Sequence, residues 1–239
     1  MRQLGPRLFC TLANKGIGNP VFLIPSAGVT PMSLLPLARS LPATRAVCSF
    51  AFAGMESDDD PHREIAEMAA AYIAEMREHH PEGPFSLGGY CFGGLVAFEM
   101  AAQLEAAQLP VKQLILIESF APVMEDVTVI PQEGELWSAL DAIFQRTAEQ
   151  YRQLPPDSVV RLQKIFRLHL EAAGRYRASP IQADMHIIRT RFHPDSLYED
   201  WSQLGATRPH VLIGGGTFSI LRAPDVRNLA RAVADALEE

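Results

Sequence analysis

The stretch PFSLGGYCFGGLVAFEMAAQL, residues 84–104, changes its periodicity at a single residue. Residues 85–90 read as a strand, and from Cys91 onward Leu95, Phe98 and Leu104 recur at helical spacing. Gly89-Tyr90-Cys91-Phe92-Gly93 therefore fits a strand–turn–helix junction of the form Gly-x-nucleophile-x-Gly, with Cys in the central place. Such a turn is so tight that side chains two residues before or after the nucleophile would strike the adjoining strand and helix. Gly89 and Gly93 are thus the elbow glycines, flanked by Gly88 and Gly94. The thiol is placed at a helix N-terminus, whose positive end is expected to favour thiolate and lower the pKa. The other reading is a glycine-rich turn around a buried structural cysteine.

Outward from the elbow, short apolar runs alternate with longer helical patterns, the arrangement of a mostly parallel sheet. Strands are expected at 20–24, 46–52, 85–90, 113–118, 185–190 and 210–213. Helices are expected at 31–41, 61–80, 91–107 and 225–237, with Pro31 and Pro61 in first turns, where a missing N–H costs nothing. Residues 123–183 break the alternation. They read as two helices, 135–151 and 156–177, separated at Pro155-Pro156, and an insertion there suits a helical lid or a packed extension without a gating role.

The 239 residues suit one α/β domain with an insertion better than two cores. The formal charge is −7 with no basic block, which argues against nucleic acid and anionic membranes as partners. The three cysteines, Cys10, Cys48 and Cys91, lack metal-ligand spacing and do not form an even set, so a reducing, cytoplasmic setting is expected. Cys48, inside the apolar run 46–52, reads as a small buried hydrophobe. There is no run of 18 apolar residues and no signal-peptide pattern at the start.

The elbow resembles that of the thioesterase domains of nonribosomal peptide and polyketide synthases, which commonly read GGYSFGG before such a helix. The resemblance continues in VFLIPSAGV (21–29), KQLILIESFAP (112–122) and IGGGTFSILRAPDV (213–226). It implies an α/β-hydrolase fold and an oxyanion hole made by the backbone N–H groups of Phe92 and Ala27, with Gly28 letting the loop approach substrate. Pro25 stands where many relatives have His. Glu118, at the end of a buried strand, falls where relatives carry the triad acid, and a strand-end Glu turned to solvent is the alternative. Asp195 and Asp200, after the later strand, are second choices for the acid.

The departure is at Thr217, which occupies the position of the family's catalytic His. A Thr hydroxyl cannot serve as a base near neutral pH. A Cys nucleophile suffers less from that loss than a Ser, because it ionises more readily. Loading Cys91 from a thioester is nearly neutral in free energy, whereas release to water needs a base. Acyl transfer or cyclisation onto an amine, carbon or other nucleophile is therefore expected. Ordinary hydrolysis with a base from His210, His186 or His193 is the alternative within enzymes, and a catalytically inactive carrier-binding domain is a third reading. The resemblance implies an acyl or peptidyl carrier protein as partner, with the phosphopantetheine arm belonging to that partner and no cofactor or metal of the chain's own. Leu136, Trp137, Leu140 and Phe166 are candidates to line a pocket under the insertion, though such apolar positions are also ordinary core.

Overall fold

The structure is a computed structural model that describes residues 8–13, 16–55, 59–122, 155–191, 193, 195–216 and 219–238. Among these residues, seven strands form one sheet: β1 (Phe9–Ala13), β2 (Gly18–Ile24), β3 (Arg45–Phe50), β4 (Phe85–Tyr90), β5 (Val111–Ile117), β6 (Asp184–Thr190) and β7 (Val211–Ile213). Their order is β1-β3-β2-β4-β5-β6-β7, with β1 antiparallel to β3 and every other pairing parallel. The helices are α1 (Leu35–Ser40), α2 (Ile65–His79), α3 (Phe92–Ala106), α4 (Pro156–Arg175), α5 (Ser196–Glu199) and α6 (Val226–Glu238).

The central strands are buried along most of their length, β4 at every position, because both sheet faces are covered. Phe22, Ile24, Leu114 and Leu116 point into one core with residues of α2, α3 and α4, among them Tyr72, Phe98 and Ile165. Their neighbours Val21, Leu23, Ile115 and Ile117 point into the other, against Leu37 of α1 and Leu229 and Val233 of α6. Helix α3 is buried nearly all round, whereas α6 buries one face, with Val226, Leu229, Val233 and Leu237 flanked by Ala230, Ala232 and Ala236. The elbow therefore sits mid-sheet, on β4 between β2 and β5, where surrounding layers hold it rigid.

Six expected strands are present within a few residues of their expected bounds. Strand β1 was not foreseen, because an edge strand draws its order from pairing, here Phe9 opposite Phe50 and Cys10 opposite Ser49. The helix expected at 31–41 is instead a 3-10 turn over Pro31–Leu34 followed by α1. Pro36 has no N–H to offer the carbonyl of Met32, which accepts from Leu35 instead. Pro61 is not in the first turn of α2, which starts at Ile65. It packs beside Gly54, where an added Cβ would lie 2.8 Å from the proline ring. In the 123–183 region, α4 matches the second expected helix. The first, with Leu136, Trp137 and Leu140, lies outside the described residues.

Candidate active site

Each elbow glycine is required by a backbone contact. A Cβ on Gly89 would lie 2.1 Å from the carbonyl carbon of Gly93, and one on Gly93 would lie 2.3 Å from the Ile24 oxygen and 2.4 Å from the Pro25 oxygen. Gly93 thus lets α3 approach the end of β2 and the loop that follows it. Cys91 itself has φ 52° and ψ −119°, a conformation that costs a non-glycine residue about 1–3 kcal/mol and persists only when neighbours impose it. Its N–H donates to the Ile117 carbonyl at 2.8 Å. Its carbonyl accepts from the Ser119 hydroxyl at 2.6 Å and the Gly94 N–H at 2.9 Å.

Cys91 is partly buried as a residue, and its sulfur accepts hydrogen bonds from the Ser26 hydroxyl and the Phe92 N–H. Both favour the thiolate. Burial outweighs them and pushes the thiol up, and the Glu118 carboxylate pushes in the same direction. The expectation of a lowered pKa is therefore corrected: taking the charge out of water costs more than the helix terminus and two donors return. Cys48 meets the sequence expectation, buried and pushed up to about 11.

The second expected oxyanion residue, Ala27, is buried in the loop after β2, one residue from Ser26. Gly28 has φ +62°, and a Cβ there would meet the Phe166 Cβ of α4 at 2.6 Å. Gly28 is thus shaped for contact with α4, which differs from the expected role of admitting substrate.

Glu118 is 1% exposed, which removes the solvent-facing alternative. It follows β5 directly, with φ 50°, and its N–H donates to the Ile188 carbonyl at 2.9 Å. Its Oε1 accepts from the Thr190 N–H and, at 3.3 Å, from the Tyr198 hydroxyl, while Oε2 accepts from the Thr190 hydroxyl at 3.2 Å. Burial and this carboxylate raise the Tyr198 hydroxyl well above its usual range. Thr190 and Tyr198 were not foreseen, since they lie 72 and 80 residues away in sequence. The second-choice acids stand elsewhere. Asp195 is 73% exposed and pairs with Arg189 at 2.8 Å, and Asp200 accepts from Gln203 at 3.1 Å.

Thr217 lies outside the described residues. Of the three candidate bases, His210 accepts from the Arg189 Nε at 3.2 Å, His193 stacks edge-on against Phe120 at 4.9 Å, and His186 is buried within β6. Among the described residues, no imidazole hydrogen-bonds the Cys91 sulfur. The histidine beside the site is a fourth one, His169 on α4. It is 1% exposed, its Nδ1 accepts from the Gly28 N–H at 3.3 Å, and its ring lies parallel to that of Phe92 with centroids 4.7 Å apart. Burial, with a smaller contribution from His62, pushes it down to about 3. It is neutral with its Nδ1 lone pair engaged. The sequence carried one sign of it, a histidine on the apolar stripe Leu162, Ile165, Phe166, Ala172. Among the described residues, no group of three or more His, Cys, Asp or Glu is arranged to hold a metal ion, and no helix is long and apolar enough to cross a membrane.

A thiol on a strained strand-to-helix turn, a backbone donor on its sulfur and a buried carboxylate just after the next strand come together on an α/β-hydrolase fold. The family model for the thioesterase domain matches residues 19–238, and the chain belongs to that family. It is similar to indigoidine synthase of Dickeya dadantii (strain 3937), with 41% identity over 118 residues, covering 49% of this chain and 8% of the relative. The chain thus spans under a tenth of that relative's length. In structure it resembles a four-domain nonribosomal peptide synthetase bound to AMP and glycine, with TM-score 0.79, 24% identity, and coverage of 99% of this chain and 20% of that one. It also resembles the NocB thioesterase domain in covalent complex with a fluorophosphonate nocardicin G analogue, with TM-score 0.78, 22% identity, and coverage of 96% and 99%.

Proposed function

We propose that Cys91 takes an acyl or peptidyl chain from a carrier-protein thioester and passes it to an amine, carbon or other nucleophile, in release, cyclisation or transfer. The observation that carries this reading is the elbow geometry, with the Phe92 N–H directed at the sulfur and no imidazole bonded to it among the described residues. The sulfur attacks the thioester carbonyl, a new C–S bond forms, the old one breaks, and the thiol proton leaves with the carrier's pantetheine sulfur. One thioester replaces another, so no strong base is needed to hold the product. The N–H groups of Phe92 and Ala27 stabilise the oxygen of the tetrahedral intermediate. Glu118 is the triad acid by position, and with Thr217 in place of His it acts on Cys91 through its charge.

Hydrolysis is disfavoured because attacking water requires a base. His169 does not fill that role with its lone pair on Gly28. An amine or thiol acceptor brings its own nucleophilic lone pair. Similarity to synthetases and family membership support a carrier protein as partner, whose phosphopantetheine arm is then part of the substrate. The 123–183 insertion acts as a lid in this reading, supported by the seat of α4 on the oxyanion loop.

Incubation with a pantetheine thioester, followed by intact mass measurement, tests the reading. An acyl adduct that persists on wild type, is absent from Cys91→Ala and is cleared by added amine is expected. Rapid appearance of free acid without adduct would overturn transfer in favour of hydrolysis. No reaction at all would leave a carrier-binding domain. Thr217→His is expected to shorten the adduct's lifetime in water by supplying the base.

A further inference from the structure

We propose that His169 is a positioning residue for the oxyanion loop, and that its Nδ1, held on the Gly28 N–H, fixes the peptide that follows Ala27. The inference rests on Cys91 being the acyl acceptor with Ala27 and Phe92 as oxyanion donors.

An oxyanion donor accelerates acyl transfer only when it is already aimed at the place where charge develops. The loop after β2 has few means of its own to hold that aim. Gly28 sits in the left-handed region, and its buried N–H finds its acceptor 141 residues away, on α4. The imidazole that accepts it cannot swing. It lies parallel to the Phe92 ring at an interplanar angle of 3°, and the tilted Phe52 ring stands with its centroid 4.2 Å from the imidazole's. One side chain therefore touches both halves of the hole, the residue after Ala27 and the residue after the nucleophile. Phe166, one turn earlier on α4, occupies from the same helix the space that a Cβ on Gly28 would need.

Space-filling alone does not account for a histidine here. A phenylalanine or leucine would occupy the same apolar stripe without burying a polar ring, which is unfavourable unless the ring is hydrogen-bonded. The acceptor nitrogen is what a purely apolar side chain lacks, and it is the atom the loop uses. Helix α4 and the oxyanion loop are tied through that atom.

Three variants separate positioning from packing. His169→Phe keeps a stacking ring and loses the acceptor, whereas His169→Asn loses the ring and keeps an acceptor oxygen near the Nδ1 position. Cys91→Ala reports on the underlying reading. Acylation by a pantetheine thioester uses the oxyanion hole, and alkylation of Cys91 by iodoacetamide does not. His169→Phe is expected to slow acylation roughly 10- to 100-fold, the scale of a misplaced catalytic group, with alkylation unchanged and a lower melting temperature, because the buried Gly28 N–H loses its acceptor. His169→Asn is expected to recover most of the acylation rate even if it melts earlier. Wild-type acylation in His169→Phe, or acylation and alkylation that fall together with melting temperature, would overturn the proposal. Should His169→Phe fail to fold, His169→Asn decides alone: near-normal acylation per folded molecule supports positioning, and loss of acylation overturns it. Acylation of Cys91→Ala at the wild-type rate would instead overturn the reading of Cys91, a separate failure.

Discussion

Strands β4 and β5 lie side by side and are each followed by a residue with nearly the same irregular backbone, Cys91 at φ 52° and Glu118 at φ 50°. Their surroundings differ. Cys91 is held chiefly by its main chain, through Ile117, Ser119 and Gly94, and the residue stays partly exposed with two donors on its sulfur. Glu118 is fully buried and held by its side chain, through Thr190 and Tyr198. Cys91 is held by its backbone and is partly exposed, whereas Glu118 is held by its carboxylate and withdrawn from solvent. No imidazole among the described residues bridges them by a hydrogen bond to the sulfur, so the acid's negative charge opposes ionisation of the thiol rather than assisting a base.

The main-chain side of this comparison is broken most severely by Gly93→Ala, which forces a Cβ against the Ile24 and Pro25 oxygens. A loss of about 3 kcal/mol or more in urea unfolding is expected. A stable, active Gly93→Ala protein would mean that α3 does not approach the β2 end this closely.

The electrostatic side is sharpened by a pair of variants with opposite signs. Glu118→Gln removes the charge that raises the thiol and should shift the pH profile of Cys91 alkylation to lower pH, giving faster alkylation at neutral pH. It should also cost about 1–3 kcal/mol of stability, because an amide cannot satisfy the same donors. Ser26→Ala removes a donor that favours thiolate and should shift the profile upward. In wild type the alkylation rate should climb through the alkaline range without a plateau near neutral pH, since burial pushes the thiol up. An unchanged profile in both variants would show that neither group acts on the sulfur.

The smallest effect is expected from Tyr198→Phe, which deletes one 3.3 Å hydrogen bond to Glu118. About 0.5–1.5 kcal/mol should be lost in urea unfolding, with Cys91 alkylation close to wild type. A larger loss would place more of the acid's support on Tyr198 than on Thr190.

The sequence by itself determined the sheet's inner strands, the elbow and its glycines, and Glu118 at the end of its strand. Each is a local pattern: apolar runs, a switch of periodicity at Cys91, and small residues where backbones touch. Tertiary structure decided what depends on distant partners. Strand β1 gained its order from β3, Thr190 and Tyr198 reached Glu118 from beyond β5, and Ser26 and His169 reached the site from a loop and from α4. It also reversed the expected direction of the Cys91 pKa, because a helix terminus is visible in a string of residues while the desolvation of a sulfur depends on everything packed around it.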